Sequence, residues 1–136
     1  MFRKSFVFIL TIIACSQFSL AQTGEPTKCT CISDSIDLKK MNVETALRLF
    51  DAAPIKVKCD NNKTYKMKGF EFTYLSLKPF ESKTFGIGDD RGIPLMGRRQ
   101  VVKSKPTDTI IFKEVIGLDD KGVETKLPNV SVKLEE

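Results

Sequence analysis

The first periodic segment of the chain has the spacing of one helical face. The apolar residues at positions i, i+3, i+4 and i+7 are Val43, Ala46, Leu47 and Phe50. Asn42 is a residue type suited to capping the first turn, and Pro54 is expected to close the segment. The pattern predicts one short helix over about residues 43–51, which must pack on other elements because so short a helix is unstable alone.

Beyond Pro54 the apolar positions alternate with a period of two, as they do in half-buried strands. Residues 55–59 alternate apolar side chains with lysine. Farther on, Tyr65 and Met67 occupy odd positions, whereas the next apolar side chains occupy even ones: Phe70, Phe72 and Tyr74. This slip of one residue at Lys68-Gly69 predicts a β-bulge, because a regular strand could not turn both sets toward one core.

The C-terminal half predicts further strands separated by short polar turns. Residues 82–87 and 100–103 read as short strands, and 109–118 is apolar and β-branched enough for a central strand. A hairpin turn at 119–122 leads into a last strand that alternates up to Leu134. Strands that follow one another without intervening helices predict an antiparallel sandwich or barrel.

The N-terminal segment has the features of a targeting signal. Arg3 and Lys4 precede an apolar run that ends in Ser19-Leu20-Ala21, so residues 1–21 are predicted to be a secretory signal peptide. The run is too short to span a membrane as a helix. An alternative is a lipobox at Ile12–Cys15, in which Cys15 is lipidated and anchors a lipoprotein. Residues 22–34 then form an extended polar arm, and residues 35–136 form a single β-domain.

Three cysteines remain after such cleavage: Cys29, Cys31 and Cys59. Export favours a disulfide, and a bridge between Cys29 and Cys31 would close a very small ring with poor geometry. Cys59 is therefore expected to pair with one of the two. We favour Cys31, which is nearer the folded body, with Cys29 as the alternative. The remaining thiol is free, joined to another chain or bound to a metal.

Composition narrows the chemistry. The chain of 136 residues contains no histidine, which excludes Ser-His-Asp and Cys-His nucleophiles and any zinc site with an imidazole ligand. The acidic pairs Asp89-Asp90 and Asp119-Asp120 lack the spacing of a calcium loop and read as turn residues. We therefore predict no enzymatic activity, no cofactor and no metal site.

The charge is moderately positive, with 22 Lys+Arg against 17 Asp+Glu. Most lysines alternate along predicted strands, so nucleic acid is not expected as a partner. Arg98 and Arg99 form a local basic cluster with Lys103 and Lys105, at and beside the predicted strand at 100–103. We interpret it as an exposed edge strand that could bind a protein partner by strand addition.

Several segments between residues 65 and 136 resemble a known family. They are Lys68–Phe72, the turn Lys105–Asp108, the strand Thr109–Val115, the turn Asp120–Gly122 and the strand Leu127–Val132. Together they resemble the C-terminal immunoglobulin-like β-domain of GldM, the periplasmic shaft protein of the gliding and type IX secretion machinery of Bacteroidota. Thr107 stands where that family usually has glycine. The resemblance implies an antiparallel immunoglobulin-like β-sandwich, here with one short N-terminal helix.

These observations predict an exported, non-catalytic interaction module of the cell envelope or the extracellular space. It would be periplasmic or secreted, or anchored through Cys15, and would bind a protein partner, with the resemblance pointing to gliding or secretion machinery. The alternative is a secreted inhibitor or small-ligand-binding β-protein that grips its ligand in the interior of the sandwich or at loop tips, chiefly residues 85–92.

Overall fold

The computed structural model describes residues 26–136. In chain order the elements are β1 (Cys29–Ile32), α1 (Val43–Asp51), β2 (Lys56–Cys59), β3 (Thr64–Leu77), β4 (Phe80–Asp89), α2 (Leu95–Lys103), β5 (Thr109–Leu118), β6 (Glu124–Lys126) and β7 (Val130–Lys133). The predicted signal peptide, residues 1–21, and the predicted lipidation site, Cys15, lie outside the described residues. Within residues 26–136, no helix is long and apolar enough to cross a membrane.

The strands form one antiparallel sheet in the order β1-β2-β3-β5-β6, with β4 also paired to β3 and β7 to β5. β3 pairs with β2 and then β4 along one side and with β5 along the other. β5 pairs with β6 and β7 along its far side. The prediction of a mostly antiparallel β-protein is confirmed, and β3 and β5 are its two central strands.

The predicted bulge is present, and it has a counterpart in β5. The pairing of β3 with β5 shifts between Met67 and Gly69, which is where the sequence places the slip. A second shift adds one residue to β5 between Lys113 and Ile116, and Glu114 there has a positive φ of 49°. The two shifts keep the buried side chains of both halves of each strand on one face.

Four phenylalanines occupy the centre of the core, in edge-to-face contacts with ring centroids 4.9 to 6.2 Å apart. They are Phe50 from α1, Phe70 and Phe72 from β3, and Phe112 from β5, and all are buried. Phe70, Phe72 and Tyr74, the aromatic row that the predicted bulge places on the core side, are all buried. Edge-to-face contacts between aromatic rings contribute about 0.5–1.5 kcal/mol each beyond the area that they bury.

Helix α1 has the bounds that the sequence predicts, and Asn42 accepts a hydrogen bond from the Thr45 amide at 2.8 Å. Its fully buried residues are Ala46, Leu49 and Phe50. Leu47, which the spacing also placed on the buried face, is only partly buried and packs at the edge of the hydrophobic core. The helix is therefore rotated slightly relative to the face predicted from the spacing.

The strand predicted at residues 100–103 is wrong, because these residues belong to helix α2. The β-branched pair Val101-Val102 favours a strand locally, but only Val101 is buried and Val102 is exposed. Pro94 is the N-cap residue, with an extended backbone, and Gly97 lets the helix approach β3. Tertiary packing thus overrides the local strand preference.

The predicted polar arm also differs from expectation. Residues 29–32 are extended, but they form β1 and pair with β2 rather than lying outside the sheet. The disulfide joins Cys29 to Cys59, so the favoured pairing of Cys31 with Cys59 is wrong and the alternative partner is the right one. The strand register decides this, because Cys29 lies directly opposite Cys59 whereas Cys31 lies opposite Val57.

The turn before β5 places a threonine in a conformation that favours glycine. Thr107 follows Pro106 and has a φ of 81°, and the Asp108 amide donates to the Lys105 carbonyl at 3.1 Å. This is the pattern of a type II turn, whose third residue is normally glycine. Asp108 is buried and accepts a hydrogen bond from the Tyr74 hydroxyl at 2.8 Å. Burial, together with the Asp108 carboxylate, raises the pKa of Tyr74.

We expect Gly97→Ala to destabilise the protein although alanine is the better helix former. Helix propensity alone would add about 1 kcal/mol. A Cβ at this position would lie 2.6 Å from Cδ1 of the buried Phe72 ring, and such overpacking costs about 1–3 kcal/mol. Urea unfolding measures the difference. Gly69→Ala is the control, because a Cβ there meets nothing within 4 Å. A Gly97→Ala protein more stable than the wild type would contradict the close packing of α2 on β3.

We expect Thr107→Gly to stabilise the protein by about 0.5–1 kcal/mol. Relief of the positive φ should outweigh the extra backbone entropy that glycine gives to the unfolded chain. Thr107→Ala is the matched control, since alanine removes the side chain but keeps the Cβ that opposes this φ. Thermal unfolding of the three proteins measures the effect. Equal melting temperatures for the glycine and alanine variants would show that this turn is unstrained.

Candidate functional site

The longest unpaired edge in the described part of the chain is that of β4. This strand of ten residues pairs with β3 and with no other strand of residues 26–136. Along its far side, no strand of residues 26–136 pairs with residues 80–88, whereas the amide and carbonyl of Asp89 are bonded to Gly92. An exposed edge of this length is a template on which another extended chain can pair.

The course of β4 is set by two glycines. The pairing with β3 shifts between Glu71 and Thr73, where β4 carries one extra residue and Gly86 has a φ of 109°. Gly88 lies under the ring of Phe70, and a Cβ there would be 2.2 Å from the ring. The bulge bends the strand, and the second glycine lets its C-terminal end lie against the core.

Three large apolar side chains on this hairpin are exposed. Leu77 ends β3 with 62% of its surface exposed, Phe80 begins β4 with 74%, and Ile87 near its end has 80%. Leu77 and Phe80 are register partners and so lie side by side on the same face of the sheet. The free edge therefore has apolar anchors close to both of its ends.

Of the segment 85–92, expected to form a glycine-rich loop, residues 85–89 instead belong to β4, and the turn that follows them is organised by a local ion pair. Arg91 donates to the Asp89 carboxylate at 2.9 Å, and these hydrogen bonds lower the pKa of Asp89. The loop borders a cavity of about 260 Å³ lined in part by Ile87, Ile93 and Pro94.

In the second acidic pair, the Asp119 carboxylate accepts hydrogen bonds from the amides of Lys121 and Val123. The acidic pairs are thus turn residues, and within residues 26–136 no cluster of acidic or cysteine ligands could hold a metal.

The basic residues singled out in the sequence lie on one helix instead of an edge strand. Arg98 makes a two-point ion pair with Asp51 of α1, at 3.1 and 3.0 Å, and the guanidinium lowers the pKa of that carboxyl. Arg98 therefore ties the two helices together. Arg99 and Lys103 are exposed on α2, so the structure keeps the cluster but rules out strand addition there.

The third cysteine is packed against the core next to the disulfide. Cys31 is partly buried as a residue, and burial raises the pKa of its thiol to about 12. A thiol with such a pKa is almost entirely protonated near neutral pH and reacts slowly. Its surroundings are those of a packing residue.

No protein-family model matches this chain, and no curated protein matches it.

The β4 edge, with its bulge and its apolar ends, was not predicted from the sequence. The signals were present in Phe80, which follows Pro79 and was left outside the predicted strand at 82–87, and in Gly86 at the bulge. That the edge is unpaired depends on which strands lie beside β3, which local periodicity does not determine.

We expect Cys31 to resist alkylation in the folded protein. With a pKa of about 12, only about one thiol in ten thousand is ionised at pH 8, against roughly a quarter for an unperturbed cysteine. Iodoacetamide should label Cys31 slowly in buffer and rapidly in 6 M guanidinium chloride, as read by mass spectrometry. Non-reducing digestion should yield a linked peptide pair containing Cys29 and Cys59. A Cys31–Cys59 pair, or equal labelling rates, would contradict the assignment.

Proposed function

We propose that this protein is an exported, non-catalytic interaction module that binds an extended segment of a protein partner along the β4 edge. The observation that carries the proposal is that no strand of the described residues pairs with the far side of β4 over residues 80–88. Strand addition would satisfy the free amides and carbonyls of that edge. The absence of histidine and the use of the conspicuous carboxylates in turns support a non-catalytic role.

The energetics of such binding follow from the edge itself. Each added backbone hydrogen bond contributes about 0.5–1.5 kcal/mol net, so four or five of them give a moderate affinity. The exposed side chains of Phe80 and Ile87 can add apolar contacts at the two ends. Specificity would come from the partner's alternate side chains that meet these residues.

Two further parts of the proposal concern the fold family and the location of the protein. We propose that β3 and β5, each shared between two groups of strands, form an immunoglobulin-like arrangement of the kind implied by the resemblance to GldM. The positive φ of Thr107 supports the resemblance, because it occurs where that family usually has glycine. Export, to the periplasm or beyond, is supported by the N-terminal pattern of residues 1–21 and by the Cys29–Cys59 disulfide.

The alternative, a secreted inhibitor or small-ligand-binding protein, has less support. Its interior version would need an apolar cavity where the four phenylalanines pack against one another. Its loop version rests on the cavity beside residues 87–94, which is lined partly by the Asp89–Arg91 pair. The β4 edge is the more extensive surface, and it favours a polypeptide ligand.

The proposal is tested by a photo-crosslinking amino acid at Ser82 on β4, with Lys121 in the exposed turn at 119–122 as the control position. In cells of the native host we expect a discrete adduct from Ser82 and none from Lys121. An adduct of twice the chain mass would identify the partner strand as a second copy. No adduct from Ser82 would count against the proposal.

Two adjacent proline variants, Lys83→Pro and Thr84→Pro, separate strand addition from other contacts. Consecutive amides in a strand point to opposite sides, so one variant loses an amide from the open edge and the other an amide bonded to β3. The open-edge variant should keep its melting temperature and lose the adduct. Ile87→Lys, with Val123→Lys as control, repeats the test without proline. Retention of the adduct in all these folded variants would overturn the proposal.

A further inference from the structure

Helix α2 exposes apolar side chains that a surface helix normally buries. Only Gly97 and Val101 are buried in its nine residues. By contrast, its large exposed apolar side chains are Leu95, Met96 and Val102, with 64%, 54% and 55% of their surfaces accessible. They make up three of the seven large exposed apolar residues in the described part of the chain.

The helical period places these residues around a cationic centre. Gly97 and Val101 mark the inward side, and the direction opposite to it is that of Arg99. Leu95 and Val102 lie next to Arg99 on one side, and Lys103 and Met96 on the other. We call this set the α2 outer face. Arg98 lies at its border and is held by Asp51.

The charge of this segment has one sign. From residue 91 to residue 107 the chain contains Arg91, Arg98, Arg99, Lys103 and Lys105 and no acidic residue. Asp51, the one carboxylate of the described residues that is bonded to α2, is already paired with Arg98. Arg99 and Lys103 carry no ion pair among residues 26–136, so the α2 outer face complements an anionic surface.

We propose that the α2 outer face docks the protein peripherally on a membrane surface that contains anionic lipid. At such a surface, cations bind anionic headgroups and exposed apolar side chains insert at the headgroup boundary, and the α2 outer face presents both kinds of side chain to the outside. The residues of the α2 outer face differ from those of the β4 edge, although α2 and β4 contact each other.

A bilayer fits this surface better than an acidic protein does. The apolar and cationic side chains are spread around the outward half of a single short helix. A fluid array of headgroups and acyl chains can accommodate that convex arrangement without a complementary groove. An acidic protein would need a shaped apolar pocket for each of the three side chains.

The test is co-sedimentation of the purified protein with vesicles of phosphatidylcholine containing 30% phosphatidylglycerol, compared with pure phosphatidylcholine. We expect binding to the anionic vesicles only. Because each cation near an anionic surface contributes about fivefold in affinity, Arg99→Glu with Lys103→Glu should weaken binding at least about 25-fold. In 0.3 M salt, the double variant Leu95→Ser with Val102→Ser should bind the anionic vesicles more weakly than the wild type does.

The matched control is the double variant Lys58→Glu with Lys66→Glu, which changes the net charge by the same amount. Both lysines are exposed, on β2 and β3, and the residues next to them in sequence include no large exposed apolar side chain. These variants should bind anionic vesicles within about threefold of the wild type. All variants share the same N-terminal segment, so that segment cannot cause a difference, and circular dichroism checks their folding.

Three outcomes would overturn the proposal. One is no binding of the wild type to anionic vesicles. Another is equal loss in the α2 and control pairs, which would reveal only nonspecific attraction of a basic protein. The third is binding to polyglutamate but not to vesicles, which would assign the α2 outer face to an acidic protein. None of them bears on the β4 edge, which the crosslinking experiment tests separately.

Discussion

The pairing of β3 with β5 is the constraint on which the rest of the structure depends. Each strand carries one extra residue relative to the other, β3 near Lys68 and β5 near Glu114. Without these shifts, Tyr65 and Met67 would face away from the core that Phe70 and Phe72 fill. With them, both halves of the two strands contribute to one core, and α1 and α2 can pack on it through Phe50 and Gly97.

The same central pair determines which edges remain free. One side of β3 is shared by β2 and β4, and the far side of β5 is shared by β6 and β7. β1 adds to β2 and is tied there by the Cys29–Cys59 disulfide. Within residues 26–136, the outer side of β4 is left without a partner strand over residues 80–88. The candidate partner-binding edge is therefore a consequence of how the central strands distribute their neighbours.

The two candidate surfaces differ in how far they could be predicted. The basic residues Arg99 and Lys103 were identified because they lie close together in the sequence, and both are exposed on α2. The secondary structure around them was predicted wrongly, because the β-branched Val101 and Val102 favour a strand when only neighbours in sequence are considered. The helix forms because Gly97 permits close contact with Phe72 and because Arg98 bonds Asp51 on α1, and both contacts are distant in sequence.

The sequence by itself determined the features that depend on neighbouring residues. These are the helix at 43–51 with its Asn42 cap, the slip at Lys68-Gly69, the burial of the aromatic row and the mostly antiparallel β character. The tertiary structure alone decided that Cys29 rather than Cys31 meets Cys59, that residues 95–103 are helical and that β4 is an open edge. Which residues lie opposite one another, how closely elements pack and which strands become neighbours all depend on contacts between residues distant in sequence. The apolar pattern within one segment locates a slip such as the one at Lys68-Gly69 but does not choose the partner of that segment.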